Sequence, residues 1–91
     1  MRQYTDLELK FFGELGHRIW IEHLNQLDKW GVQTHTAAEW VMFTTEELGS
    51  LAKAIGEYEY RDGAKKRVID EAIQVATLAL KIAEMYMVSE G

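Results

Sequence analysis

Residues 44–55 read Thr44-Thr45-Glu46-Glu47-Leu48-Gly49-Ser50-Leu51-Ala52-Lys53-Ala54-Ile55 and place carboxylates inside an otherwise apolar helical pattern. Around this stretch, apolar residues recur at helical spacing in two stripes. One stripe comprises Ala37, Val41, Thr44, Leu48, Leu51, Ile55 and Tyr58, and the other comprises Trp40, Phe43, Glu47, Leu51 and Ala54. Glu47 therefore has apolar neighbours one turn away on both sides, which is an unfavourable setting for a charge that no cation compensates.

Three helices of similar length are predicted from the positions of the helix-breaking residues. The chain has no proline, and its strongest interruptions are Trp30-Gly31 and Asp62-Gly63. The predicted helices cover about residues 6–29, 37–60 and 64–88, with Thr36 and Glu39 forming a capping box before the second. Gly13 and Gly16 indicate a bend or close packing in the first. The predicted fold is all-α: an antiparallel bundle of three main helices in a single domain, residues 1–91, completed by dimerisation.

The third helix is apolar on most of its circumference, so it requires burial on more than one side. Three helices of a 91-residue chain offer limited cover, and we expect part of this helix to pack against a second copy. Its narrow polar stripe is expected to face solvent or a ligand, and it comprises Asp70, Gln74, Thr77, Lys81 and Glu84. Glu71 lies at the head of an apolar stripe, the same unfavourable setting as that of Glu47.

Composition excludes several classes of function. Fifteen acidic and ten basic residues give a net charge of −5, which argues against a general surface for nucleic-acid polymers. No apolar run is long enough to cross a membrane, and the N-terminus has no hydrophobic signal region, so a cytoplasmic location is expected. Without cysteine, the candidate metal ligands are carboxylates and three histidines.

Carboxylates on two predicted antiparallel helices are the best candidates for chemistry. Mg²⁺ takes hard oxygen ligands and keeps several waters, so a few converging carboxylates can hold it between protein and phosphate. Residues three apart share a helix face, yet Glu47 is followed at that spacing by Ser50, and Glu71 by Gln74. The alternative is that these acids, with their neighbours Glu46 and Asp70, are exposed helix residues that keep the protein soluble.

Two segments resemble the paired-helix signature of MazG-like nucleotide pyrophosphohydrolases. They are Glu46-Glu47-Leu48-Gly49-Ser50-Leu51-Ala52-Lys53-Ala54-Ile55 and Asp70-Glu71-Ala72-Ile73-Gln74-Val75-Ala76. The preceding residues, Lys29-Trp30-Gly31-Val32-Gln33-Thr34-His35 with Glu39-Trp40, resemble the connection in a short phage- and bacteria-associated branch of that family. The resemblance covers residues 26–83.

This resemblance implies an all-α bundle that forms a homodimer or homotetramer. It also implies hydrolysis of a nucleoside triphosphate to the monophosphate and pyrophosphate, of a house-cleaning type, with Mg²⁺ or Mn²⁺ as cofactor. Glu47 and Glu71 match the first acid of the family's two metal motifs, Ser50 and Gln74 stand at the second positions, and Glu46 is a neighbouring substitute. Lys53 matches a lysine that could reach a phosphate.

Other assignments remain open at the sequence level. Trp30, Trp40 and Phe43 could stack on a base or belong to the core. Glu14 and His17 have the spacing of a di-iron motif that appears only once, His23 has no evident partner, and His35 belongs to a connection. Because Ser50 and Gln74 stand where the family has acidic ligands, a second interpretation is a protein that binds a nucleotide or another protein without turnover. The apolar third helix gives a third interpretation, a structural oligomerisation module.

Overall fold

A computed structural model describes residues 10–88 of the chain. These residues form a short π-helical segment, Lys10–Leu15, and three α-helices: α1 (Gly16–Trp30), α2 (Ala37–Tyr60) and α3 (Lys65–Val88). No strand occurs among the described residues. The all-α bundle is confirmed, and the start predicted for the first helix, at Asp6, lies outside the described residues. None of the helices within residues 10–88 is long and apolar enough to cross a membrane.

The ends of α1 and α2 lie where the local sequence places them. Gly31 ends α1 at a φ of 73°, with its N–H donating to the Leu27 carbonyl at 2.7 Å. The Thr36 hydroxyl then accepts from the Glu39 N–H at 3.1 Å, and the Glu39 carboxylate accepts from the Thr36 N–H at 2.8 Å. These two bonds satisfy backbone donors that the first turn of α2 leaves without helical partners, and they confirm the predicted capping box.

The turn after α2 reverses the chain and sets α3 beside it. Asp62 has a φ of 58°, and the Gly63 N–H donates to the Glu57 carbonyl at 2.8 Å. A Cβ at Gly63 would lie 2.8 Å from the Glu57 carbonyl carbon, so only glycine fits this close approach. Arg67 of α3 donates to the Glu57 carboxylate at 2.9 Å, which joins the two helices at this end.

Helix α3 is the centre of the fold, since it packs extensively against α2 and also against α1. Its buried residues are Thr77 and Leu78, while α1 buries Gln26 and α2 buries Trp40 and Ala54. Only three apolar side chains are buried within residues 10–88, namely Trp40, Ala54 and Leu78. The groove between α1 and α2, floored by α3, is the part of the fold that holds the candidate site.

Of the polar stripe predicted to face solvent or a ligand, Thr77 is buried and the expectation is wrong for it, whereas Gln74 and Lys81 line cavities. Thr77 is 2% exposed, and its hydroxyl donates to the Ile73 carbonyl at 2.7 Å. Because threonine satisfies its polar atom within its own helix, it can be buried where the sequence pattern marks a polar position. Gln74 and Lys81 meet polar partners on α1, as described below.

Candidate functional site

Glu47 and Glu71 meet at the interface of α2 and α3. On α2, Glu47 occupies the inward face between the buried residues Trp40 and Ala54, each seven residues away. On α3, Glu71 is half-buried, and its carboxyl group lies close enough to that of Glu47 for a hydrogen bond between them to raise the pKa of Glu47. Two carboxyl groups can share a hydrogen bond only when one of them carries a proton. The structure thus brings together the two acids that the sequence singled out.

The surroundings of Glu47 disfavour its ionised form. Burial, the hydrogen bond with Glu71 and the charge of Glu71, with smaller effects from Glu22 and Glu46, raise the pKa of Glu47 from 4.5 to about 7. Desolvation and neighbouring negative charge both penalise a carboxylate, and a bound cation would reverse both effects. Among the described residues, only burial and other carboxyl groups act on the pKa of Glu47, and no positively charged side chain offsets them.

A network of polar side chains from α1 lies beside this pair. The Gln26 amide donates to the Glu22 carboxylate at 2.8 Å and to the side-chain carbonyl of Gln74 at 3.3 Å. Gln74 stands three residues after Glu71, so the network joins α1 to the face of α3 that carries Glu71. The oxygen through which Gln74 could ligate a metal already accepts one hydrogen bond, and a second lone pair remains.

An aromatic cavity of about 290 Å³ opens next to Glu47. Its lining comprises Gln26, Trp30, Gln33, His35, Trp40, Phe43, Glu47, Gln74 and Leu78. The His35 ring lies edge-on to Trp40 at 4.8 Å between centroids and to Phe43 at 5.1 Å. Trp40 is buried, whereas Trp30 is 55% exposed at the rim. Both tryptophans predicted to contact substrate therefore line one cavity, together with Glu47.

A second cavity of about 450 Å³ is lined in part by the same residues: Gln26, Gln33, His35 and Trp40. It also includes His23, Lys81 and Glu84. The Lys81 ammonium lies 3.0 Å from His23 Nδ1 and 6.0 Å from the centre of the Trp40 ring. His23, for which the sequence suggested no partner, thus has one, and Lys81 places a positive charge at the end of the groove away from Glu71.

The remaining predicted site residues of α2 lie at different positions around the helix axis relative to Glu47. Ser50 is half-buried one turn after Glu47, about 60° around the axis, whereas Glu46 and Lys53 are exposed. Lys53 is turned about 120° from Glu47 and does not line the aromatic cavity. Ser50 therefore shares a side of α2 with Glu47, and Lys53 does not.

The ligand set limits which metals fit. Within residues 10–88, no three side chains of histidine, aspartate or glutamate converge closely enough to hold a metal ion. Mg²⁺ commonly binds through one or two carboxylates, with water and substrate phosphates completing its six ligands. Glu47 and Glu71 fit that mode, whereas structural zinc needs four protein ligands.

Sequence reasoning missed Glu22 and Gln26 of α1, and the pairing of His23 with Lys81. A signal was present, because Ile19, His23, Gln26 and Trp30 follow one another at helical spacing and form one stripe in which polar residues replace apolar ones. The same pattern of polar residues within an apolar stripe had identified Glu47. Which helix would face this stripe could be learned only from the packing.

No model of a protein family, no curated protein and no solved structure matches the chain. The interpretation of the site accordingly depends on its residues and their geometry.

Proposed function

We propose that this protein is a Mg²⁺-dependent nucleoside triphosphate pyrophosphohydrolase of the MazG-like kind, which releases a nucleoside monophosphate and pyrophosphate. The observation that supports this most directly is the pair Glu47–Glu71, hydrogen-bonded and partly desolvated beside an aromatic cavity. Such an enzyme would act in the cytoplasm on surplus or noncanonical nucleotides.

In this proposal Glu47 and Glu71 hold the cation. The raised pKa of Glu47 means that binding displaces a proton, so Mg²⁺ affinity would increase with pH through neutrality. When bound, Mg²⁺ supplies polarisation of the phosphoryl oxygens and a lower pKa for a coordinated water. The hydrogen bond from Gln26 orients the Gln74 carbonyl, which keeps a second lone pair to accept another hydrogen bond.

The aromatic cavity would receive the base. Trp40 lies seven residues before Glu47, which corresponds to about 10 Å along α2. A nucleotide whose phosphates lie at the carboxylates would then have its base near Trp40, His35 and Phe43. Ring faces of this kind stack on any base, whereas Gln33 and Gln26 offer hydrogen bonds that could distinguish one base from another.

In hydrolysis, water attacks the α-phosphorus. The bond between this phosphorus and the oxygen that bridges to the β-phosphorus then breaks. That oxygen leaves with pyrophosphate, and the proton removed from water needs an acceptor. Glu71, hydrogen-bonded to Glu47 at the floor of the groove, is suitably placed to orient the water or accept this proton. Packing of the cavity walls against the base would exclude bulk water from the phosphates.

The test is release of pyrophosphate from a panel of ribo- and deoxyribonucleoside triphosphates with Mg²⁺ or Mn²⁺. Glu47→Gln is expected to abolish release while the protein remains folded, and Glu59→Gln, at an exposed position of the same helix, serves as the matched control. Absence of product from every nucleotide with both metals would refute the hydrolase.

The second candidate is a protein that binds a nucleotide without turnover. It is favoured by Ser50, which supplies a neutral oxygen one turn after Glu47, and by the lack of a third acidic or histidine side chain converging on the pair within residues 10–88. In that case nucleotides would raise the melting temperature although no pyrophosphate appears. If neither nucleotide nor metal changes the melting temperature, both candidates fail.

The assembly in this proposal is a homodimer, or a dimer of such dimers. Only Trp40, Ala54 and Leu78 are buried apolar side chains within residues 10–88, while many large apolar side chains remain exposed. Small domains with so limited a core are commonly stabilised by self-association. A purely structural module is less favoured, because it gives no reason to place the half-buried Glu47 and Glu71 side by side.

A further inference from the structure

The groove that holds the candidate site has opposite charges at its two ends. Glu47 and Glu71 lie at one end, and Lys81 lies at the other, about 15 Å from Glu71 along α3. Trp40 lies between them, about 10 Å from Glu47 along α2. Because α2 and α3 run in opposite directions, Lys81 lies beyond Trp40 as seen from the carboxylates, with its ammonium 6.0 Å from the centre of the ring. A ligand that extends from the carboxylates across Trp40 therefore ends near Lys81.

Lys81 presents hydrogen-bond donors to the cavity of about 450 Å³. Its ammonium lies 3.0 Å from His23 Nδ1, and an ammonium donates but cannot accept, so Nδ1 is the acceptor and the His23 proton is on Nε2. This contact uses one of the three N–H groups of the ammonium. Within residues 10–88, no carboxylate forms an ion pair with Lys81, although Glu84 lines the same cavity. The other N–H groups are therefore available to a ligand.

Gln26 presents a hydrogen-bond acceptor to the same space. Its side chain is buried and lines both this cavity and the aromatic cavity beside Glu47. The amide nitrogen of Gln26 has two N–H groups, and it donates to Glu22 at 2.8 Å and to Gln74 at 3.3 Å. The amide cannot turn over without losing these two hydrogen bonds, so its orientation is fixed. What Gln26 offers a ligand is therefore its side-chain carbonyl oxygen.

We propose that Lys81 and Gln26 select nucleotides whose base has a carbonyl group next to a ring N–H, as guanine, hypoxanthine, uracil and thymine do. The carbonyl of such a base accepts from Lys81, and the ring N–H donates to the Gln26 carbonyl. Adenine and cytosine present the reverse order: an amino group that donates, next to a ring nitrogen that accepts. In them, donor faces donor at Lys81 and acceptor faces acceptor at Gln26. This inference rests on the proposed function, which places the base at Trp40.

The other residues around the base do not distinguish these two classes. Trp40 and His35 offer ring surfaces, which stack on any base. Gln33 also lines both cavities, and its amide can present either its N–H or its carbonyl. Lys81 has donors alone, and Gln26 has its donors already bound. A base of the wrong class gives up hydrogen bonds to water and gains none from these two side chains, so it is rejected.

The experiment compares nucleotides that differ only in this pair of groups: inosine with adenosine triphosphate, and uridine with cytidine triphosphate. In the wild type with Mg²⁺, kcat/KM for pyrophosphate release is expected to favour the first member of each pair by at least about tenfold. Lys81→Met keeps the apolar length of the side chain and removes its donors. It is expected to bring both ratios to within about threefold of one, with unchanged helical circular dichroism. Lys65→Met, at an exposed position of the same helix, is the matched control and is expected to keep the wild-type ratios.

Binding separates this inference from hydrolysis. The α,β-methylene analogues of the same four triphosphates cannot be cleaved between the α- and β-phosphorus, and calorimetry with Mg²⁺ gives their dissociation constants. Tighter binding of the inosine and uridine analogues without pyrophosphate release from any triphosphate would refute the hydrolase and support the selection of the base. Equal affinities within each pair, a preference for adenine and cytosine, or no binding of any analogue would overturn the selection. Ratios that persist in Lys81→Met would overturn the role of Lys81.

Discussion

The inward and outward faces of α2 depart from the usual pattern, in which apolar side chains face the core and charged side chains face water. The inward face carries Glu47 between Trp40 and Ala54, whereas the outward face carries Val41, Leu48 and Ile55 in contact with water. A carboxylate inside and an apolar row outside both cost stability in an isolated chain. Neither face is therefore satisfied within a single metal-free chain: a cation and a phosphate are proposed for the first, and the apolar row of the second remains in contact with water.

Removing the largest side chain of the inward face tests where the core lies. Trp40→Ala is expected to lower the free energy of unfolding by about 3–5 kcal/mol, because it deletes a buried ring that contacts His35 and Phe43. Urea denaturation followed by circular dichroism measures this. Val41→Ala, one residue away on the outward face, is expected to cost less than about 1 kcal/mol at concentrations where the chain is monomeric. Equal losses would remove the distinction between the faces.

Neutralising the inward charge is expected to stabilise the metal-free protein. Glu47→Gln keeps a hydrogen-bonding group beside Glu71 but removes the charge, and it should raise the free energy of unfolding at pH 8 by about 1–2 kcal/mol once solvent screening is allowed for. Glu46→Gln, exposed on the same helix, is expected to change it by less than about 0.5 kcal/mol. Urea denaturation in the presence of EDTA measures both changes. Destabilisation by Glu47→Gln would contradict the electrostatic account.

The pH dependence of the free energy of unfolding should show an effect of similar size. The pKa of Glu47 is raised from 4.5 to about 7 in the folded chain, so between these values the folded state binds more protons than the unfolded state. In the metal-free protein, the contribution of Glu47 to the free energy of unfolding therefore falls as the pH rises from 4.5 to about 7, and it stays constant above that.

Subtracting the profile of Glu47→Gln isolates that contribution from those of the other carboxylates. Mg²⁺ at pH 8 should restore part of the lost stability in the wild type only. A difference profile that is flat, or that rises with pH, would show that Glu47 is not held in its protonated form.

The smallest effect concerns Gly49, on the outward side of α2. At concentrations where the chain is monomeric, Gly49→Ala is expected to raise the free energy of unfolding by about 0.5–1 kcal/mol, because alanine is the better helix former and the added Cβ meets open space. Thermal or urea denaturation measures this gain. Destabilisation would indicate that the glycine is needed within the single chain.

Local sequence signals predicted the helices well. Thr36 and Glu39 identified the start of α2. Gly31 marked a turn with a left-handed backbone, and Gly63 marked one where the chain approaches Glu57 too closely for a Cβ. The sequence also singled out Glu47 and Glu71 as acids in apolar surroundings, and the structure places them together. The MazG-like resemblance, the cofactor and the substrate remain predictions.

Long-range packing was predicted less well. The apolar stripe that begins at Ala37 and the stripe that contains Trp40 looked equally suited to the core, yet the core took Trp40 and left much of the other exposed. Thr77 was expected at solvent or a ligand and is instead buried, whereas Gln74 lines the aromatic cavity and also accepts a hydrogen bond from Gln26 of α1. Helical periodicity gives the faces of each helix but not their partners, because several pairings bury similar areas.

By itself, the sequence determined the three helices, their ends and the unfavourable positions of two carboxylates, because these follow from backbone hydrogen bonding and side-chain spacing within a few residues. Only the tertiary structure decided that Glu47 meets Glu71, that Gln26 and Glu22 join them, and that the row from Val41 to Ile55 faces outward. Those contacts join residues far apart in the chain, so they depend on which helix faces pack together, and no local pattern specifies that choice.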